Sequence, residues 1–459
     1  MSNRRRPPGG RSTTSPGNRE RSGGWKSSGP PQPGNTCPRC GWSRAARKIG
    51  CGFGQQGRAG PCRTTFKGGS IFLPTERRFR LKLTDHPAEH REIYRSAAWG
   101  SALADGWVVS ASGPVSIGVV GLGWPGHRHA EAILANPGAR LYACADLGDQ
   151  RREEFVRLYK PERVYVSYDE LLNDPGVEAV VIGLPNYLHF PATMSALRAG
   201  KHVLCEKPPT LSAAEMRKVR SLADQAGKIY FFGRQSRFDG KTVVAKRMVE
   251  SGRLGRIYFA KATFIRARGI PVGIGGWFLD RGKAGGGALM DIGIHALDTA
   301  WYLMGCPAPT SVTGQVFRNF ERFVPERMKY DVEDGAYAFV RFEGGAVLQL
   351  EVSWAANLPD DSPTNHLGKR ESHNTILYGD RATLRLSPFS LFEDVEGRLV
   401  DSRLEAEPGS NFAGQMTNFI QAIREGVPAV NSADQAVHLM EMLEGIYHSS
   451  EISREIAIG

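Results

Sequence analysis

Ser116-Ile-Gly-Val-Val-Gly121-Leu-Gly123-Trp-Pro-Gly126 decides how the rest of the chain is read. Its first half is a short, apolar, β-branched run with no polar alternation, the pattern of a strand covered on both faces in a parallel sheet. Its second half fits G-x-G-x-x-G. Glycines there let the backbone approach a pyrophosphate, and the helix that follows turns its N-terminal amides toward that charge. The motif alone is a weak signal, and a tight strand-to-helix turn is its plain structural alternative. Context strengthens it: a strand precedes it, a helix follows, and Asp146 ends the next strand 25 residues after Gly121. Asp146 suits the hydroxyls of an adenosine ribose and repels a 2′-phosphate, so NAD is expected in preference to NADP. Gly121, Leu122, Gly123, Trp124, Pro125, Gly126 and Asp146 are the expected cofactor contacts.

Working outward, further apolar runs end at Asp146, Gly183, Cys205 and Phe232, with helical stretches between them. One of these, Ser212 to Ala226, opens with Ser212 and Glu215 in capping-box spacing. Strands alternating with helices imply a doubly wound parallel sheet over residues 114–237. Beyond Arg237 the rhythm changes to consecutive strands joined by turns such as Glu343-Gly344-Gly345. Residues 238–459 therefore read as an α+β domain with a largely antiparallel open sheet and C-terminal closing helices.

The segment before this body differs in composition. Residues 1–113 hold 20 Lys/Arg against 6 Asp/Glu, leaving 39 and 41 to the remainder, so the formal charge of +12 resides in the tail. Rich in Gly, Pro, Ser and Arg, the tail reads as disordered. Cys37, Cys40, Cys51 and Cys62 lack the two close pairs of a zinc ribbon, and no metal is expected. The tail also lacks the interleaved aromatics of a nucleic-acid surface. Arg77-Arg78 lacks the apolar run of an export signal, and no stretch has transmembrane length. The body cysteines sit in apolar runs or alone, so a reducing cytoplasm is the expected compartment.

Two more constellations carry chemistry. Cys205-Glu206-Lys207-Pro208 closes a strand at the carboxyl edge where doubly wound sheets bind ligands. A shielded lysine beside a nicotinamide suits proton exchange with a substrate hydroxyl, and the proline permits a cis bond. An exposed Glu-Lys pair is the alternative. Gly285-Gly-Gly-Ala-Leu-Met-Asp291-Ile-Gly-Ile-His295-Ala-Leu-Asp298 places Asp291 and His295 at i, i+4, on one face if helical. The glycine run before them reads as backbone passing close to a ligand. A core histidine on a packed helix is the bland reading.

Taken in order, GLGWPG, Pro185-Asn186-Tyr-Leu-His189, AGKHVLCEKP, GGWFLDRGKAGGGALMDIGIHALD and VEDGAYAFVRFEGGAVLQLEVSW resemble the glucose-fructose oxidoreductase and inositol dehydrogenase family (Gfo/Idh/MocA) over residues 115 to about 455. Trp124 departs from the small or polar residue frequent in that loop. The resemblance implies Lys207 as the catalytic lysine, Asp291 and His295 as its assistants, and Pro185, Asn186, His189 and Glu206 bordering the cofactor. It implies NAD-dependent hydride transfer at a carbinol carbon of a polyol, sugar or sugar derivative. Two alternatives remain: NAD-dependent glycoside cleavage by redox-assisted elimination, and a nucleotide or sugar sensor without catalysis, against which Lys207 and His295 speak. A homo-oligomer, dimer or tetramer, is expected from the open sheet.

Overall fold

A computed structural model describes residues 113–365 and 369–459. The expected tail and its four cysteines lie outside the described residues.

Strands β1 (Val115–Val120), β2 (Ala139–Ala145), β3 (Arg163–Tyr165), β4 (Ala179–Ile182), β5 (His202–Cys205) and β6 (Tyr230–Phe232) form a parallel sheet in the order β3-β2-β1-β4-β5-β6. Alternate residues feed opposite faces. Ile117, Val119, Val181 and Leu204 pack on one side, and Val120, Val180, Ile182 and Val203 on the other. Neither set reaches solvent, which is why these strands are apolar without alternation. Helices α1 (Trp124–Leu134), α2 (Asp149–Tyr159), α3 (Tyr168–Leu172), α4 (His189–Arg198) and α5 (Ala213–Ala226) join the strands. The Ser212 hydroxyl accepts from Glu215 N at the start of α5. The strand order reverses between β1 and β4, and the crevice at their carboxyl ends is where such sheets take ligands.

The second sheet follows helix α6 (Gly240–Glu250). It comprises β7 (Ile257–Arg266), β8 (Pro309–Phe317), β9 (Gly335–Phe342), β10 (Val347–Ser353), β11 (Glu371–Gly379), β12 (Ala382–Leu386), β13 (Phe389–Val395), β14 (Arg398–Arg403) and β15 (Ile456–Ala457). Their order is β14-β13-β12-β11-β7-β10-β9-β8-β15, antiparallel except where β10 runs parallel to β7. The β9–β10 turn places Gly344 and Gly345 at φ 76° and 82°, a region that penalises a Cβ. One face of this sheet packs on α8 (Ile294–Leu303), reached through the short helix α7 (Arg281–Ala284).

The chain then returns to the first sheet. Met416, Phe419 and Ile420 of α9 (Asn411–Arg424) join the core formed by α1 and the apolar face of β1. Arg424 grips both carboxylate oxygens of Glu178, at the threshold of β4, and donates from Nε to Gly113 O at 3.2 Å. Helix α10 (Ala433–Ile452) lies against α5 and β8. Both C-terminal helices thus pack on elements of the first, parallel-sheet layer, and α10 also reaches the second sheet.

Candidate active site

The glycine loop is built by close packing at its ends and left open in the middle. Gly121 sits at φ 86°, and a Cβ there would stand 2.6 Å from Gly183 O; at Gly126 it would stand 2.3 Å from Gly121 O. At Gly123 nothing comes nearer than Pro125 Cδ at 3.8 Å, so backbone is exposed where a ligand can approach. Gly123 caps α1, whose first turn carries no acidic residue, leaving its amides and dipole available to an anion. Trp124 is 67% exposed and makes a T-shaped contact with the ring of Phe412.

Asp146 Oδ2 accepts from Leu122 N at 2.9 Å, tying the end of β2 to the loop, and Oδ1 accepts from Gly148 N at 2.8 Å. Arg151 Nε adds a contact of 2.9 Å. Burial works to raise this carboxyl, but Arg151 and the two amides hold it below the ordinary carboxylate value. The loop, the helix terminus and an ionised Asp146 fit a dinucleotide: amides for the pyrophosphate, a carboxylate for ribose hydroxyls.

Glu206 and Lys207 follow β5 at the mouth of the crevice, and the Lys207–Pro208 bond is cis. Their side chains part. Glu206 is buried and meets His129 Nε2 of α1 at 2.8 Å. Lys207 Nζ donates to Asp291 Oδ1 at 3.0 Å and to Asp291 O at 3.1 Å. Asp291 Oδ2 accepts from Trp354 Nε1 at 2.9 Å. Burial opposes its charge, yet Lys207 and the Trp354 indole keep its carboxyl below the ordinary value.

Asp291 and His295 lie on a continuous helical segment but make different contacts. Leu289–Gly293 is a π-helical turn that runs into α8, and no hydrogen bond links the two side chains. Asp291 faces Lys207, whereas His295 Nδ1 meets Arg234 NH1. The glycine run is packed against protein. A Cβ at Gly286 would lie 1.9 Å from Tyr447 Oη, and one at Gly287 1.9 Å from Glu333 O. Glu333 Oε1 accepts from Gly287 N, Leu289 N and Tyr447 Oη, each at 2.9 Å. The run is a tight protein contact that anchors the turn bearing Asp291.

Of the remaining expected residues, Pro185 caps a short 3₁₀ turn, and Asn186 is buried, with Nδ2 donating to Ala284 O at 2.9 Å. His189 is also buried and spans Pro208 O at 2.6 Å and Leu184 O at 2.7 Å. These side chains tie together the two loops that frame the crevice. Arg234, Arg237, Asp298, Trp354 and His129 were not singled out from the sequence. The available signal was an acid, Asp298, on an otherwise apolar helix and two arginines just past a strand end.

Two family profiles match the chain: the oxidoreductase family with an NAD-binding Rossmann fold over residues 115–234, and the GFO/IDH/MocA C-terminal domain over residues 242–385. The chain belongs to the Gfo/Idh/MocA oxidoreductase family. Among similar members, D-glucoside 3-dehydrogenase of Escherichia coli (strain K12) is 28% identical over 76% of this chain and 98% of that protein. The NAD(+)-dependent scyllo-inositol 2-dehydrogenase of Bacillus subtilis (strain 168) is 29% identical over 71% of this chain and 91% of that protein. GenD2 from gentamicin A biosynthesis, crystallised with NAD, superposes with a TM-score of 0.62 at 26% identity, covering 76% of this chain and 97% of GenD2. This Gfo/Idh/MocA member is thus an NAD-dependent oxidoreductase.

Proposed function

We propose that this oxidoreductase moves a hydride between NAD and one carbinol carbon of a polyol, sugar or sugar derivative, with Lys207 carrying the hydroxyl proton. The observation that carries this reading is the Lys207–Asp291 contact of 3.0 Å at the end of β5, beside the nucleotide crevice. Bound NAD supplies a hydride acceptor or donor at C4 of its nicotinamide. The protein's residues do the rest. Asp291, anchored by Trp354, holds the Lys207 side chain in place, and the group that enters oxidation is its neutral amine. In oxidation Lys207 takes the hydroxyl proton as the carbon loses its hydride; in reduction it returns that proton to the oxygen. His295 and Asp291 orient the oxygen. Glu206, fixed by His129, sets the backbone that presents Lys207. The named activities of the curated relatives, on glucosides and inositols, support a polyhydroxylated substrate.

Purified protein incubated with NAD and a panel of polyols, sugars and glycosides tests the assignment. NADH should appear with at least one class, and no NADH with any would refute it.

A homo-oligomer belongs to the same proposal. The second sheet's outer face exposes Tyr337 and Phe339 at 42% and 41%, with Phe317 beside them, a surface suited to a second copy. Phe339→Lys should lower the mass in sedimentation. A wild-type monomer would refute the interface. A cytoplasmic setting accords with the reduced, buried Cys144 and Cys205, and no helix among the described residues is long and apolar enough to cross a membrane.

A further inference from the structure

Arg234, just beyond β6, is fully buried and directs its whole guanidinium at α8. Nε donates to Asp298 Oδ2 at 2.8 Å, NH2 to His295 O at 3.0 Å and Thr299 Oγ1 at 3.4 Å, and NH1 meets His295 Nδ1. Arg237, also buried, brings Nε and NH2 to the same Asp298 at 3.1 and 2.6 Å. One carboxylate between two guanidiniums leaves a net positive charge behind the His295 ring.

A guanidinium carries only donors and does not give up its proton in proteins. Nδ1 of His295 therefore faces a donor and has to accept. A neutral imidazole has a single N–H, so the proton sits on Nε2, which has no partner among the described residues. Protonating the ring would set an Nδ1–H against an Arg234 N–H.

The surroundings act in the same sense. Burial is the largest influence, followed by the positive charge of Arg234 and then by Lys207, His373 of β11 and Arg266 of β7, and together they hold the imidazole well below its ordinary value of 6.5. Two carboxylates lie near, and both are engaged elsewhere: Asp291 by Lys207 and Trp354, and Asp298 by the two arginines.

We propose that His295 serves this site as a fixed hydrogen-bond donor through Nε2–H, that Arg234 is the positioning residue enforcing that tautomer, and that the proton exchanged with substrate belongs to Lys207. The substrate part of this statement rests on the function proposed above; the tautomer does not. A neutral donor of this kind polarises a carbonyl, or stabilises an alkoxide, while keeping its own proton.

Nitrogen NMR of the full chain labelled with ¹⁵N-histidine tests it, with the His295 signals assigned by their loss in His295→Gln. The expected pattern is neutral, protonated at Nε2 and unchanged between about pH 5 and 8. Titration within that window, or a proton on Nδ1, overturns the proposal. In a second arm, Arg234→Gln should let the ring titrate more readily, adding an ionisation to the kcat/KM profile that stays below the ordinary value of about 6.5 because burial persists, and lower kcat by about 10²-fold. Arg237→Gln leaves the His295 contact in place and should add no such ionisation. Should both variants shift the profile alike, Arg234 is merely structural. If Arg234→Gln does not fold, the wild-type spectrum decides. An inactive enzyme with the expected spectrum would count against the proposed reaction and leave the tautomer standing.

Discussion

Trp354 Nε1 and Lys207 Nζ meet opposite oxygens of the Asp291 carboxylate, at 2.9 and 3.0 Å. Trp354 directly follows β10 of the second sheet, and Lys207 follows β5 of the first. Asp291 is the joint through which the second sheet holds the lysine beyond the end of β5. Trp354→Phe keeps the ring and removes the donor, and a hydrogen bond to a charged group is worth about 1.5–3 kcal/mol. Turnover should fall about tenfold or more while NAD affinity holds. Unchanged kcat in Trp354→Phe would show that Asp291 needs no such anchor.

Cofactor choice follows from Asp146 and its partner. Asp146→Ser removes the charge that opposes a 2′-phosphate and frees Arg151, now paired with it at 2.8 Å. The variant should bind NADP more tightly and NAD less tightly than the wild type, by about an order of magnitude each. Equal affinities for the two cofactors in the wild-type protein would contradict the role of Asp146.

Acid should destabilise the fold before its carboxylates titrate. His202, His295 and His373 are all held below the ordinary 6.5, burial being the largest cause for each, and His202 is brought to about 4. Below about 6.5 the unfolded chain binds protons on these rings that the folded chain refuses, so stability declines as pH falls from about 6.5 toward 4. Thermal unfolding midpoints should drop steadily from pH 7.5 to 5. A flat profile over that span would contradict the buried neutral rings.

The glycine run before Asp291 offers a stability test. At Gly287 a Cβ would meet Glu333 O at 1.9 Å. Gly287→Ala should cost about 1–3 kcal/mol, as overpacking of tight contacts does. Denaturant midpoints report it, and an unaltered midpoint would mean that the turn relaxes freely.

How far the sequence reveals all this varies with the physics of each element. The glycine loop, β1, β4 and β5 are legible because burial on both faces demands unbroken apolar runs. The strand Arg163–Tyr165 is not, because three residues at a sheet edge carry no period, and α2 buries only Phe155. Lys207 and Asp291 are legible as motif residues, but their pairing is a tertiary fact. A spacing of four suggests a common helical face for Asp291 and His295; what the spacing does not reveal is that one side chain pairs with Lys207 and the other with Arg234. Glycines in series suggest ligand approach, and the same freedom from a Cβ serves packing on Glu333 and Tyr447 equally well. Arg234 and Arg237 acquire meaning only once the fold brings Asp298 between them.

The central claim is hydride transfer with Lys207 as the proton carrier. Its most direct measurement follows a substrate deuterated at the reacting carbon, in wild type and Lys207→Ala. The wild type should place label in NADH in proportion to product. Removing a positioned acid or base typically lowers the rate by about 10²- to 10⁴-fold, so Lys207→Ala should lose turnover to that extent while binding NAD within a few-fold of wild type. A sugar released with no net labelled NADH, or a Lys207→Ala enzyme that turns over normally, would contradict the account.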